Sequence, residues 1–302
     1  MNLLDLIGNT PLLSMENIEG AHAPVKIFAK GELYNPSGSV KDRAAKAMIL
    51  DGIQSGKLTK ETTIIDSTSG NTGIAYAMLG AHFGFKVKLY LPSNANDERK
   101  NLLRAYGTTI IETDPLESSD GAYLAAKEEF QRHPDKYFFP DQYNNPMNPL
   151  IHYETTGKEI LEQTKGKITH FISSLGTSGT FMGTSRRLKE SDGRIKCVSI
   201  QPDSPLHGIE GTKHMASTLR PGIYRQDFID SEILVSTAEA YRFARLLSQR
   251  TGILAGISSG ANLAGAFKLA RVLPRGSLIV TILADNGSRY LSDNIFTEVK
   301  ND

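Results

Sequence analysis

The sequence has a single cysteine, Cys197, and almost no imbalance of charge, with 34 Lys and Arg against 33 Asp and Glu. A lone cysteine excludes a disulfide framework and a thiolate metal cluster. Lying in the strand-like "RIKCVSIQP", it reads as a core residue. The balanced charge excludes a long-range field aimed at nucleic acid or an anionic membrane, which leaves small molecules or other proteins as expected partners. No apolar run approaches the roughly 18 residues that a membrane span requires. The opening "MNLLDLIGNTPLL" lacks the basic start, apolar stretch and small-residue cleavage site of a secretory leader. A soluble, cytoplasmic protein is therefore expected. His152, His207 and His214 have no companions at metal-ligand spacing, so no metal site is expected. Also missing are the G-x-S-x-G elbow of serine hydrolases, the P-loop pattern and the dinucleotide G-x-G-x-x-G.

What is present is a long alternation. Seven β-rich runs, "VKIFAKGE", "TTIIDSTS", "KVKLYLP", "TTIIETD", "THFISSLG", "RIKCVSIQP" and "SLIVTILAD", are separated mostly by segments with helical spacing. Examples are Ala44/Met48 and Ala45/Ile49, and "AEAYRFARLLSQRTG" with Gly252 as its stop signal. Alternation of this kind predicts an α/β fold, and 302 residues predict two lobes. The Asn- and Pro-rich "DQYNNPMNP" is the best dividing point, giving lobes over 1–145 and 146–302, with the first strands free to join the second lobe. Residues 203–226 show little periodicity, and an irregular segment of that length in a compact fold usually serves a function.

One lysine is oddly placed. In "NPSGSVKDRAA" Ser39 reads as a helix N-cap with Asp42 closing a capping box, which puts Lys41 in the first turn. A cation there opposes the helix dipole by roughly 0.3–1 kcal/mol. The conflict disappears if Lys41 works uncharged, because a helix N-terminus lowers the affinity of an amine for its proton.

Gly, Ser and Thr-rich turns open several helices. In "TTIIDSTSGNTGIAYAM", Ser69, Gly70, Asn71 and Thr72 either cap a helix or offer its first amides to a carboxylate or phosphate. In "FISSLGTSGTFMGT", Gly176, Thr177, Ser178, Gly179 and Thr180 suit one phosphate. In "GILAGISSGANLAGA", Ser259 reads as an N-cap and Ser258 as a neutral partner for a ligand. "LADNGSRYLS" places Asp285 and Asn286 at the C-terminal end of a strand, where α/β folds gather ligands, although Asp285 reads equally as a cap.

Taken in order, "IGNTPL", "NPSGSVKDRA", "TSGNTG", "GTSGT", "GISSG" and "RYLS" resemble the cysteine synthase family (O-acetylserine sulfhydrylases) from about residue 5 onward. The short length, "ITHFISSLGTSGT" and "QYNNPMNP" look more like the B type than the longer A type. The resemblance implies a pyridoxal 5′-phosphate enzyme of fold type II, tryptophan synthase β-like, with two three-layer α/β domains and the active site between them. It implies that Lys41 carries the cofactor as a Schiff base, that Asn71 meets the cofactor's 3′ oxygen, that 176–180 cup the phosphate and that Ser258 faces the ring nitrogen. Thr68, Ser69, Gly70, Thr72 and Gln142 match the loop and partner that hold the substrate α-carboxylate. The implied reaction joins O-acetylserine and sulfide, or thiosulfate, into cysteine, with a homodimer as the expected assembly. Related readings are an O-phosphoserine-using cysteine synthase, a cystathionine β-synthase-type enzyme, a serine/threonine dehydratase, or a ligand-binding or partner protein that keeps the fold. Little sequence follows "RYLS", so no regulatory domain is expected. A-type members dock serine acetyltransferase, which makes that enzyme a conceivable partner. Where the A type has its own pattern in the segment matching 203–226, this chain has His207, Lys213, His214 and Arg220, read either as solvated loop charges or as contacts to a second sulfur donor or a phosphate.

Overall fold

The computed structural model describes residues 2–18, 25–68, 70–293 and 295–296. Strands β1 (Leu12–Ser14) and β2 (Lys26–Gly31) come first, followed by α1 (Lys41–Gln54), β3 (Thr63–Ser67), α2 (Asn71–Phe83) and β4 (Lys86–Pro92). Next are α3 (Asp97–Ala105), β5 (Thr109–Thr113), α4 (Ser118–Arg132), β6 (Tyr137–Phe138), α5 (Met147–Glu154), α6 (Thr156–Gln163) and β7 (His170–Ser174). The chain continues with α7 (Gly179–Ser191), β8 (Lys196–Pro202), β9 (Ser231–Val235), α8 (Thr237–Thr251), α9 (Ile257–Ala270) and β10 (Leu278–Leu283). All seven β-rich runs form strands. The short β1 and β6, and the half-exposed β9, lack the apolar density that marks a strand in sequence.

The strands form two sheets, one ordered β5-β4-β3-β6 and the other β1-β2-β10-β7-β8-β9. Strands before residue 35 and strands after residue 169 thus share one sheet, while β3 to β6 make the other. Every neighbouring pair runs parallel except β1 with β2. Central parallel strands are covered on both faces by crossover helices, which is why β10 is buried at every position and β8 at all but its first. Edge strands β5 and β9 keep exposed positions. Cys197, on β8, is fully buried in an apolar cluster with Phe171, Phe181 and Leu188, and burial pushes its thiol up to about 11. No helix among the described residues is long and apolar enough to cross a membrane.

The start of α1 departs from the expected capping box. Val40, with helical φ and ψ of −58° and −20°, stands at the N-cap, and Lys41 is the first helical residue. Ser39 is instead drawn into a β-bridge with Asp285, and the Val40 amide donates to the Ala284 carbonyl at 2.8 Å. Tertiary pairing with the end of β10 displaces the expected capping box, although the Ser39 hydroxyl still accepts from the Lys41 amide at 3.3 Å. The Asp42 carboxylate turns back to Ser37, accepting from its amide at 2.7 Å and from its hydroxyl.

In the same first turn, Arg43 enters a buried ion network. It meets Glu32 at 2.7 Å and Glu159 at 2.6 Å, and Lys30 meets Glu159 at 2.6 Å, so two cations face two carboxylates. Thr10, from the "IGNTPL" segment, donates to Glu32 at 2.7 Å. Elements distant in sequence are thereby fixed around the first turn of α1. Burial alone would raise the Glu159 carboxyl, but Arg43 and Lys30 prevail and hold it down to about 2. Its contribution to stability is therefore complete above about 4.5 and lost as pH falls through about 2. Arg43→Met leaves Glu32 without an ion-pair partner among the described residues and Glu159 with Lys30 alone, and is expected to destabilise the protein by about 3–5 kcal/mol in urea unfolding at neutral pH, with a smaller acid-side loss than the parent. A loss under about 1 kcal/mol would show that the network does not hold α1.

Candidate active site

A cavity of about 850 Å³ lies where elements of both sheets converge. Lys41, Thr68, Gly70, Asn71, Thr72, Gln142, Gly176, Thr177, Ser178, Thr180 and Ser258 all line it. Residues scattered over more than two hundred positions thus meet in one place. Gly179 stands just behind the lining, and Ser69 lies outside the described residues.

Lys41 enters from the start of α1. Burial lowers its proton affinity, and the negative charge of Asp285 acts in the opposite direction. The sequence argument for an uncharged amine rested on the helix end; in the folded chain desolvation is the leading cause.

The 176–180 turn joins β7 to α7. Ser178 has left-handed backbone, φ 70°, at the N-cap of α7, a conformation from which successive amides form an anion nest. Its hydroxyl is buried without a partner. A Cβ on Gly176 would come 2.3 Å from the Gly211 carbonyl oxygen, and one on Gly179 would come 1.9 Å from Asn148 Oδ1, so both positions require glycine for close approach. Asn148 and His152, both on α5, support the turn. Asn148 Nδ2 donates to Thr177 Oγ1 at 3.1 Å and to the Gln142 carbonyl at 2.8 Å, while His152 Nε2 lies 3.3 Å from Thr180 Oγ1.

Across the cavity, Thr72 donates to Gln142 Oε1 at 2.8 Å. Thr72, Gln142, Asn148 and Thr177 therefore form a continuous chain from the α2 loop to the α7 turn. The stretch "DQYNNPMNP" is part of the site as well as the best dividing point in sequence. Nothing local singles out Asn148; its neighbour across space, Gly179, is the only trace it leaves.

At the floor, Asn71 Nδ2 donates to Asp285 Oδ2 at 2.8 Å, and Arg289 Nη1 donates to Asn71 Oδ1. Asp285 is therefore not the cap of the next turn. Asn286 takes that role, accepting from the Ser288 amide at 2.9 Å. Ser259 is not an N-cap either: α9 begins two residues earlier, and the Ser259 hydroxyl accepts from the Ala284 amide at 2.8 Å. Ser258, in the first turn of α9, keeps its place on the cavity wall. Of the irregular segment's charged residues, His207 and Lys213 line the cavity, whereas His214 bonds Ser217 and exposed Arg220 stacks on Tyr224.

These residues fit the phosphorylated aldehyde that the resemblance implies. An unpartnered hydroxyl and a glycine turn at a helix start provide for one phosphate, and a desolvated amine opening on the same cavity provides for a carbonyl carbon.

Comparison with known proteins points the same way. The family described as "Pyridoxal-phosphate dependent enzyme" matches residues 3–285. The cysteine synthase of Aquifex aeolicus is 46% identical over 301 residues, 98% of this chain and 92% of that protein. Cysteine synthase B of Salmonella typhimurium is 41% identical over 299 residues, 99% and 97% of the two chains. The crystal structure of cysteine synthase (OASS) from Entamoeba histolytica superposes with a TM-score of 0.92 at 34% identity, covering 100% of this chain and 92% of that one.

Burial, aided by the positive charge of Arg43, lowers His152 to about 3, so the imidazole behind Thr180 stays neutral. Relative to an unfolded value of 6.5, its contribution to stability is full above that pH and is lost as pH falls through about 3. Its ring resonances are expected to stay flat in an NMR titration from about pH 8 to about pH 5. A midpoint near 6.5 would instead place the ring in contact with water.

Proposed function

This chain belongs to the family of pyridoxal-phosphate dependent enzymes, and we propose that it is a cysteine synthase that exchanges the acetoxy group of O-acetylserine for sulfur. The observation that carries the reading is the placement of a desolvated Lys41 amine in the same cavity as a phosphate-sized glycine turn. Lys41 Nζ would hold the cofactor carbonyl, the amides and hydroxyls of Gly176, Thr177, Ser178, Gly179 and Thr180 would hold its phosphate, and Ser258 and Asn71 would serve its ring nitrogen and ring oxygen. Thr68, Ser69, Gly70, Thr72 and Gln142 receive the substrate α-carboxylate. When bound, pyridoxal phosphate supplies an electron sink for the bonds at the substrate α-carbon.

Protein groups set the course of the reaction. An unprotonated Lys41 takes the α-proton and later returns it, a role that burial favours by lowering its hold on the proton. In the overall exchange the Cβ–O bond breaks as acetate leaves, and a Cβ–S bond forms with sulfide. A neutral hydroxyl from Ser258, in place of a carboxylate, does not stabilise a protonated ring nitrogen, which favours elimination over transamination. The irregular 203–226 segment lines the cavity through His207, Glu210 and Lys213 and in this reading serves as its cover. Glu210 meets Arg99 of α3 at 2.5 Å, and Lys213 lies 4.9 Å from the Tyr143 ring centre and 3.7 Å from Asp120 of α4. Such a cover excludes water that would compete with the sulfur nucleophile. His207 and Lys213 on its inner side suit an anionic donor such as thiosulfate or the phosphate of O-phosphoserine. Cytoplasmic location and a homodimeric assembly belong to the same proposal, and serine acetyltransferase is a candidate partner.

Purified protein is expected to be yellow and to form cysteine from O-acetylserine and sulfide faster than cystathionine from serine and homocysteine. Lys41→Ala should lower that turnover by at least about 100-fold. Parental turnover in the variant would refute the assignment, and faster condensation with homocysteine would replace cysteine synthase by the cystathionine β-synthase-type reading.

A further inference from the structure

An asparagine side chain presents nearly equal faces to its surroundings, and which end donates depends on its neighbours. At Asn71 the neighbours leave no choice. Arg289 has only donors, so the atom facing its Nη1 must be the oxygen; Asp285 as a carboxylate has only acceptors, so the atom 2.8 Å from its Oδ2 must be nitrogen. Both partners are themselves fixed. Arg289, nearly buried, also donates from Nη2 to the Ser37 carbonyl, and a Cβ on Gly38 would come 3.0 Å from that nitrogen. Asp285, fully buried, accepts from Tyr290 at 2.6 Å, and Arg99 packs 4.9 Å from the Tyr290 ring centre.

We propose that Asp285 and Arg289 are positioning residues that lock the Asn71 carboxamide with its second Nδ2–H presented to the cavity, making this point of the floor selective for an acceptor oxygen. The inference rests on the reading of the site as a pyridoxal phosphate site, where the acceptor is the oxygen on the cofactor ring. Neither residue lines the cavity: Arg289 acts through Asn71, and Asp285 acts through Asn71 in addition to its charge effect on Lys41. Without the lock the carboxamide can turn its oxygen inward, and two acceptors then face each other in a buried place.

The test is a cycle of Asn71→Ala, Asp285→Ala and the double variant. It is read by the affinity of each apoprotein for pyridoxal phosphate and by the ratio of the yellow to the near-ultraviolet band of the bound cofactor. Asp285→Ala is expected to weaken binding by about 3- to 10-fold and to lower the band ratio. In cofactor affinity the double variant is expected to match Asn71→Ala alone, because the lock has nothing left to hold. Asp285→Asn also lacks the charge facing Lys41, and so separates the charge effect from the lock in the band ratio. Asp285→Asn, which keeps an acceptor, should restore the ratio. If Asp285→Ala fails to fold, Arg289→Lys carries the same expectation, since an ammonium cannot span Asn71 and Ser37 as the guanidinium does. Multiplying effects in the double variant, or a parental band ratio in Asp285→Ala or Arg289→Lys, would overturn the proposal. A parent protein that takes up no pyridoxal phosphate would instead refute the reading of the site itself.

Discussion

Desolvation of one amine organises this molecule. An ammonium at Lys41 would be strongly favoured in water, and only a surrounding that withholds water shifts the balance toward the neutral base. Such a surrounding cannot be made by one helix. It requires α1 to begin against the end of β10, so that Val40 and Ser39 are tied to Ala284 and Asp285 while the Lys41 side chain opens on the cavity. Asp285, left close by, pulls the other way. The position is thus a balance in which burial is the larger effect.

The charged groups around α1 follow the same division. Behind the cavity, Lys30, Glu32, Arg43 and Glu159 neutralise one another within hydrogen-bond distance. A network of this kind contributes little net stability compared with an apolar core, because desolvation of the ions offsets most of their attraction. Its geometric demand is strict all the same: each member is intolerable alone, so the elements carrying them have one arrangement relative to the first turn of α1. Net charge in the network is zero, which leaves Asp285 as the carboxylate that acts on Lys41.

Two sheets divide the remaining work. Loops after β3 and residues next to β6 bring polar groups suited to a carboxylate, while the turn after β7 and the start of α9 bring groups suited to a phosphorylated ring. The bonds from Thr72 through Gln142 and Asn148 to Thr177 couple these halves. Under the proposed assignment, a substrate held by one half would be registered against a cofactor held by the other through these bonds.

Much of this was readable in advance. Alternating β-rich and helical runs gave the α/β class, since buried parallel strands need continuous apolar stretches that stand out in any sequence. Lys41, Asn71, Ser258 and the 176–180 turn were identifiable because glycine turns and misplaced charges break local rules. Ser259 and Asp285 have the chemistry of a helix cap, but each side chain is taken by a partner remote in the chain, and local preference of about 1 kcal/mol yields to such pairings. Ser39 is divided: its hydroxyl still accepts from the Lys41 amide, while its backbone pairs with Asp285.

Sequence alone thus determined the α/β class, seven of the strands, the candidate residues for chemistry and the family they resemble, because period, turn chemistry and motif order are properties of neighbours along the chain. Tertiary structure decided that burial lowers the hold of Lys41 on its proton, that Asn148 and His152 support the 176–180 turn, and which way Asn71 faces. Those depend on distances between residues far apart in sequence, which no local pattern encodes.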